Sequence, residues 1–289
     1  MDLPNHAIIT GGSSGIGRSL ALQLARKGLD ITIIARGQER LDQARSDIKT
    51  ASIRSDQQVL ALSADVSNRL QAETAIQDAI AQLGAPRMLI TSAGIAYPNY
   101  FQDIPIEIFE HTMATNYFGT LYCIRAALST MEQYAAQKKA TQKKATQKKA
   151  MEKKCKATIV MISSGAGLVG LYGYSAYGPS KFALRGLAES LRGELKPLGV
   201  GVAIAYPPDT DTPQLAEENK TKPPATKEIT ATAKLWQPDD IAQVILTAVE
   251  QGKFEITPGF EMTILNRLHS LIAPLLNRYF DQIIARHPR

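Results

Sequence analysis

The sequence predicts an α/β fold: a doubly wound parallel sheet of seven strands in a single domain, with a helical extension at the C-terminal end. Three observations carry this reading. Short β-branched and aliphatic runs alternate with longer amphipathic segments along most of the 289 residues. The short runs are continuously apolar rather than alternating, as strands buried on both faces must be. A glycine-rich turn links the first run to the first amphipathic segment, and strand–helix repetition of this length implies right-handed crossovers.

HAIIT (6–10) is the first strand, and the glycine turn after it opens a helix reaching Lys27. DITIIAR (30–36) is the second strand, followed by a helix over 38–52. QVLALSAD (58–65) is the third, with a helix over 67–83 behind it. RMLITSAG (87–94) is the fourth and leads to a long helix over 106–135. ATIVMISS (157–164) is the fifth, followed by a helix over 175–196. VGVAIAYP (200–207) is the sixth and FEITPG (254–259) the seventh. The catalytic domain is thus expected over 1–259, and an amphipathic helical extension over 260–289.

Composition sets bounds on function. The net charge of +6 is concentrated: nine lysines and one glutamate (Glu152) between Lys138 and Lys156 contribute +8, which leaves the body at −2. A nucleic-acid partner would have to rest on that appendage alone, and none is expected. The tandem repeat AQKKATQKKATQKKA (136–150) is built of helix formers, so the basic insertion over 136–156 reads as an extension of the fourth helix. Two uses stay open for it, a solvated surface helix or a polybasic contact with anionic lipid. In 260–286, Leu268, Leu271, Ile272, Leu275, Leu276, Phe280, Ile283 and Ile284 form an apolar pattern, and Pro274 is expected to kink or divide it. That region is read as docking on the body or on a partner subunit of a homo-oligomer, or as lying in a membrane surface with Arg267, Arg278 and Arg286 toward head groups. Two cysteines, Cys123 and Cys155, fit a reducing compartment. MDLPNHAIITGG runs almost directly into a strand, which leaves no room for a signal peptide, and no apolar run is long enough to span a bilayer. A cytoplasmic protein is expected. His6, His111, His269 and His287 are scattered, so no metal site is expected.

The candidate site starts at TGGSSGIG (10–17). Gly11, Gly15 and Gly17 allow a tight turn, close approach to a pyrophosphate and packing of helix on sheet. The helix start offers unpaired N–H groups and a positive dipole end. Ser13, Ser14 and Ile16 belong to the same cradle. A site preferring a free ribose 2′-hydroxyl carries Asp or Glu about 20 residues past the glycines; here Arg36 ends the second strand. A guanidinium binds a 2′-phosphate by charge-assisted bonds that a carboxylate would repel. With Arg40 one turn on and Ser13 nearby, the predicted cofactor is NADP(H), a Rossmann-type assignment.

In AYGPSKFALRG (176–186), Tyr177 and Lys181 stand four apart and stack on one helical face. An ammonium near a phenol favours the phenolate, so the tyrosine is expected to titrate below its usual range and to act as proton donor. Pro179 lacks an N–H, which places Tyr177 in the first turn of its helix. Ser164 ends the fifth strand, where its hydroxyl can stabilise a developing oxyanion.

Together, the cradle T-G-x-x-x-G-x-G, Tyr-x-x-x-Lys and the upstream serine resemble the short-chain dehydrogenase/reductase family over roughly residues 5–258. The resemblance implies further roles. Asp65 and Val66 match the pair that contacts adenine. Ala93 and Gly94 match the turn flanking the nicotinamide ring, with Ser92 where the family more often has asparagine. Asn116 matches the asparagine that shapes a kink in the long helix. Pro207, Thr210 and Thr212 line the cofactor after strand six, with the Thr212 hydroxyl meeting the carboxamide. The wording YPPDTDTPQLAEENKTKP and GLYGYSAYGPSKFALRGLAESLRGELKP is similar to one subgroup, the 3-ketodihydrosphingosine (3-dehydrosphinganine) reductases. That implies a lipid-like ketone substrate, 3-ketosphinganine, beneath a lid over 207–237. Asp209, Asp211, Glu217 or Glu218 is the candidate partner of its ammonium group. Two other readings remain beside it: another apolar or lipid-like ketone or alcohol, and a scaffold that keeps the fold without turnover.

Overall fold

The structure, a computed structural model, describes residues 5–144, 157–231 and 234–288. Seven parallel strands form one sheet: β1 (His6–Thr10), β2 (Asp30–Ala35), β3 (Val59–Ser63), β4 (Pro86–Thr91), β5 (Ala157–Ile162), β6 (Val200–Ala205) and β7 (Glu255–Ile256). Their order is β3-β2-β1-β4-β5-β6-β7, so the chain reverses its winding direction between β1 and β4. The carboxyl ends of these neighbours form the crevice where doubly wound sheets bind ligands.

The helices lie in two layers. On one face α1 (Gly15–Ala25), α2 (Gln38–Ala51) and α9 (Pro238–Glu250) bury Leu20, Leu24, Leu41, Ile48, Ile241 and Ile245 against Ile9, Ile31 and Ile33. On the other, α3 (Arg69–Leu83), α5 (Gly119–Lys144) and α6 (Tyr177–Leu195) bury Ile76, Cys123, Ala127, Met131 and Leu184 against Ile8, Leu89 and Ile159. Successive strand residues point to opposite layers. Both layers are apolar, which explains the unbroken hydrophobic runs. Burial pushes the Cys123 thiol up to about 12, leaving it a packing group.

The helix expected over 106–135 is longer and interrupted. α4 (Ile106–Met113) passes through a π turn (Ala114–Phe118) into α5, which runs on to Lys144 and so enters the lysine repeat. Residues 145–156 of the basic insertion lie outside the described residues.

The segment after β6, expected as a loop, carries two short helices, α7 (Pro213–Thr221) and α8 (Pro224–Ala231). Thr212 caps α7 by accepting the Leu215 N–H at 3.2 Å, and Pro213 follows at the first position, where its missing N–H costs nothing. The base of the segment is closed where Trp236 donates to the Asp209 carbonyl at 3.0 Å and accepts the Asp211 N–H at 2.8 Å.

α10 (Phe260–Arg286) is one helix, and Pro274 sits inside it without dividing it. The proline removes a single backbone bond, and side-chain packing holds the distal half. Ile283 is fully buried with Ala225 and Ile229 of α8, and Phe280 and Ile284 pack beside them. Burial of one such side chain contributes about 2 kcal/mol. Arg286 and His287 both bond Glu228.

Candidate active site

The carboxyl ends of the strands, the α7–α8 segment and α10 enclose a cleft of about 1320 Å³. Every expected catalytic and cofactor-binding residue lines it except Asn116, which is buried behind its wall. Gly11 and Gly15 hold φ values of 67° and 52°, and a Cβ on Gly17 would stand 2.3 Å from the Gly11 carbonyl oxygen. The turn therefore closes only with glycine at these places. Ser14 precedes α1 without capping it through its side chain, and the first turn holds no acidic residue. Its dipole end is left to an anionic ligand in the cleft.

Arg36 follows β2 with its side chain 57% exposed and its guanidinium 4.0 Å from the Asp65 carboxylate. Arg40 and Ser13 line the same end. Burial works against ionisation of Asp65, but hydrogen bonds from Ser67 and the charges of Arg36 and His111 outweigh it and hold the carboxyl below its usual range. Where Ser92 replaces asparagine, support for the turn comes from Thr10. Its hydroxyl oxygen accepts the N–H groups of Ser92 and Ala93 at 3.2 and 3.3 Å.

Asn116 occupies the π turn, fully buried. Its amide oxygen accepts the Ile95 N–H at 2.8 Å, and its amide nitrogen donates to the Ile95 carbonyl at 3.0 Å and to the Ser180 hydroxyl at 2.9 Å. Ser180 in turn donates to the Tyr177 carbonyl at 2.7 Å. This chain ties the long helix and the Gly94–Ile95 turn to the first turn of α6. Sequence reasoning missed Ser180, a small polar residue whose partners are distant in sequence.

α6 begins at Tyr177, with Pro179 in its first turn. Lys181 is buried, donates its Nζ to the Ile162 carbonyl at 3.0 Å, and stands 5.4 Å from the centre of the Tyr177 ring. Ser164 lies two residues beyond β5, where the strand expected to run to 164 has already ended, and its Oγ accepts the Ala166 N–H at 3.2 Å. The same side chain shares a hydrogen bond with the Tyr177 phenol.

The expected lowering of the Tyr177 phenol is reversed in the protein alone. Burial, reinforced by the negative charges of Glu218 and Asp209, pushes it above the usual tyrosine range, although the Ser164 and Gln214 side chains pull the other way. Burial also brings Lys181 down to about 8, with Glu218 opposing. Desolvation penalises both charged forms and exceeds the attraction that sequence spacing suggested.

Four acidic residues were candidates in the segment after β6, and they separate clearly. Asp211 does not line the cleft. Glu217 is exposed and pairs with Lys220. Asp209 pairs with the buried ammonium of Lys222 at 3.6 Å. Glu218 is buried, accepting the Tyr174 hydroxyl at 2.6 Å and the Gln214 amide at 2.8 Å. Tyr174, Gln214 and the inner face of α10 escaped sequence reasoning as cleft residues. The Met262 sulfur rests where a Cβ on Gly165 would meet it at 3.0 Å, so α10 reaches the residue next to Ser164. Thr210 and Thr212 line the cleft with hydroxyls already engaged, the first donating to the Pro208 carbonyl at 2.9 Å and the second capping α7.

Comparison with known proteins places this geometry. The family model described as short chain dehydrogenase matches residues 5–223. The chain is 40% identical over 271 residues to a 3-ketodihydrosphingosine reductase of Mus musculus, covering 93% of this chain and 76% of that protein. It is 38% identical to a 3-dehydrosphinganine reductase of Danio rerio over the same shares, and 34% identical to a 3-ketodihydrosphingosine reductase of Dictyostelium discoideum over 97% of this chain and 82% of that one. Among solved structures, a 3-ketoacyl-(acyl-carrier-protein) reductase from Brucella melitensis complexed with NADH shares the fold. Its TM-score is 0.73 at 20% identity, over 89% of this chain and 97% of that chain.

Proposed function

The chain belongs to the short chain dehydrogenase family and is an oxidoreductase, and from that premise we propose that it reduces 3-ketosphinganine to sphinganine with NADPH. The observation that carries the reading is one cleft with two ends. Ser164, Tyr177 and Lys181 stand in its floor, the glycine turn and Arg36 at one side, and apolar side chains of α10 (Leu265, Ile272, Leu276) at the other. Its volume exceeds the roughly 300–1,000 Å³ typical of a single small-ligand pocket, which suits a dinucleotide and a long-chain ketone together. The likeness to reductases named for this substrate supports it over other apolar ketones.

The cradle fits a nicotinamide dinucleotide: Gly11 to Gly17 and the start of α1 would hold its pyrophosphate, Arg36 and Arg40 its 2′-phosphate, and Ala93, Gly94 and Thr212 its nicotinamide. When bound, that cofactor supplies the hydride that reduces the carbonyl carbon. Tyr177 donates its phenolic proton to the carbonyl oxygen as alkoxide character develops, and Ser164 steadies the same oxygen with its hydroxyl. The Lys181 ammonium stabilises the phenolate left behind. The product alcohol has then gained a hydride at carbon and a proton at oxygen. Incubating the protein with NADPH and 3-ketosphinganine should yield sphinganine. Turnover only on some other ketone would overturn the choice of substrate.

A pH dependence follows. Below about 8 the buried Lys181 is an ammonium, and above it the neutral amine takes over. Raising the pH removes the charge that stabilises the phenolate and the alkoxide. The reductive kcat/KM is therefore expected to fall as pH rises through about 8, and a profile measured from about pH 6 to 10 checks this. A rate that is flat or rising across that window would contradict the role given to Lys181.

The enzyme works at a lipid surface. Among the described residues no helix is long and apolar enough to cross a membrane. The outer face of α10, however, exposes Leu271 and Leu275, the first 76% accessible, beside exposed Arg267 and Arg278. The same helix lines the cleft with its inner face, so a long-chain ketone could pass from the surface into the site. The double substitution Leu271→Glu with Leu275→Glu should reduce flotation with anionic vesicles by roughly tenfold or more, given the apolar area lost. Unchanged flotation would dismiss α10 as the contact.

A further inference from the structure

We propose that Glu218 is the recognition subsite for a primary ammonium on the carbon next to the reacting carbonyl, an inference that rests on the substrate class read above. A buried carboxylate costs free energy unless a cation or sufficient donors compensate it. Glu218 is 7% exposed, yet among the described residues no ion pair reaches it. Its two donors, the Tyr174 hydroxyl and the Gln214 amide, are neutral. The nearby buried ammonium of Lys222 is directed at Asp209 instead. The carboxylate is thus oriented and only partly compensated, in the wall of the cleft that holds the reacting groups.

Its position relative to Tyr177 gives the subsite its chemistry. Gln214 and Glu218 stand one turn apart on α7, and the Gln214 side chain is also a hydrogen-bonding neighbour of the Tyr177 phenol. The rings of Tyr174 and Tyr177 lie 5.7 Å apart. A carbonyl oxygen on the Tyr177 hydroxyl therefore brings the substituent of the adjacent carbon toward the wall formed by Tyr174, Gln214 and Glu218. An ammonium there gains a charge-assisted bond that a hydroxyl or methyl group cannot match. The carboxylate's field reaches the reacting groups, since it helps raise Tyr177 and opposes the lowering of Lys181 by burial.

The test compares kcat/KM for 3-ketosphinganine with that for the matching long-chain 3-ketone lacking the amine, in the parent protein and in Glu218→Gln. Loss of one charge-assisted bond should cut the ratio by roughly 10- to 100-fold. A ratio unchanged in Glu218→Gln overturns the inference while leaving the proposed activity standing. A parent protein that does not reduce 3-ketosphinganine at all overturns that activity, and this inference with it. If Glu218→Gln does not fold, inhibition of the parent protein decides. Dodecylamine below its micellar concentration should inhibit at least tenfold more strongly than dodecanol, and equal inhibition would overturn the subsite.

Discussion

Replacing Tyr177 with phenylalanine is expected to lower ketone reduction by roughly 10³-fold or more, near the upper part of the range for one general acid, while NADPH still binds. The phenol shares hydrogen bonds with the Ser164 and Gln214 side chains, and the Lys181 ammonium stands 5.4 Å from the centre of its ring. The ring itself is packed with Ala166 and Tyr174, and phenylalanine keeps those contacts. The folded state loses only the bonds shared with Ser164 and Gln214, about 1 kcal/mol each by the usual scale. A kcat collapse at unchanged NADPH affinity, with a melting temperature lower by only several degrees, is therefore the signature. Cofactor affinity is read by fluorescence titration and kcat by NADPH oxidation. Activity within tenfold of the parent protein would refute Tyr177 as proton donor.

The same residues show what was legible in the sequence. β1, β2, β4, β5 and β6 are buried on both faces, so each had to be written as a continuous apolar run, and the strand limits were readable to within two residues except the end of β4, which falls three residues before Gly94. Gly11, Gly15 and Gly17 were readable because no other residue closes that turn. Tyr177 and Lys181 announced themselves by helical spacing. Their ionisation did not. Spacing reports which groups are neighbours, whereas the balance between desolvation and attraction depends on burial, which strand and helix packing decides. α7 and α8 escaped because their polar faces meet solvent and prolines punctuate the segment. Their role came from what they cover, a tertiary property. α10 was visible as an amphipathic helix, but only the positions of Met262 and Ile283 reveal which body it packs on. Glu218 was one acid among four until burial and pairing separated it from the rest.

Exchanging Arg36 for aspartate should weaken NADPH by roughly 100-fold or more, while NADH holds its affinity or gains. The effect has two parts. Losing a guanidinium removes charge-assisted bonds to a 2′-phosphate, worth about 1.5–3 kcal/mol. The new carboxylate then repels the phosphate and adds to the charge of Asp65, which Arg36 faces at 4.0 Å. The same carboxylate can accept from a free ribose 2′-hydroxyl, the arrangement that favours NADH. Stability should hardly move, because the Arg36–Asp65 pair is largely exposed and such pairs contribute about 0–1 kcal/mol. Titration of both cofactors separates the outcomes. Equal weakening of NADPH and NADH would mean that Arg36 shapes the cleft without holding a phosphate. Ionic strength supplies an independent arm. An exposed guanidinium attracting a phosphate is screened over roughly 10 Å at about 0.1 M salt, so NADPH affinity in the parent protein should fall with added salt. In Arg36→Asp that dependence should flatten or reverse in sign, since screening then relieves a repulsion. Arg40 would supply whatever attraction remains, and a salt response that survives Arg36→Asp at full strength would transfer the phosphate contact to it.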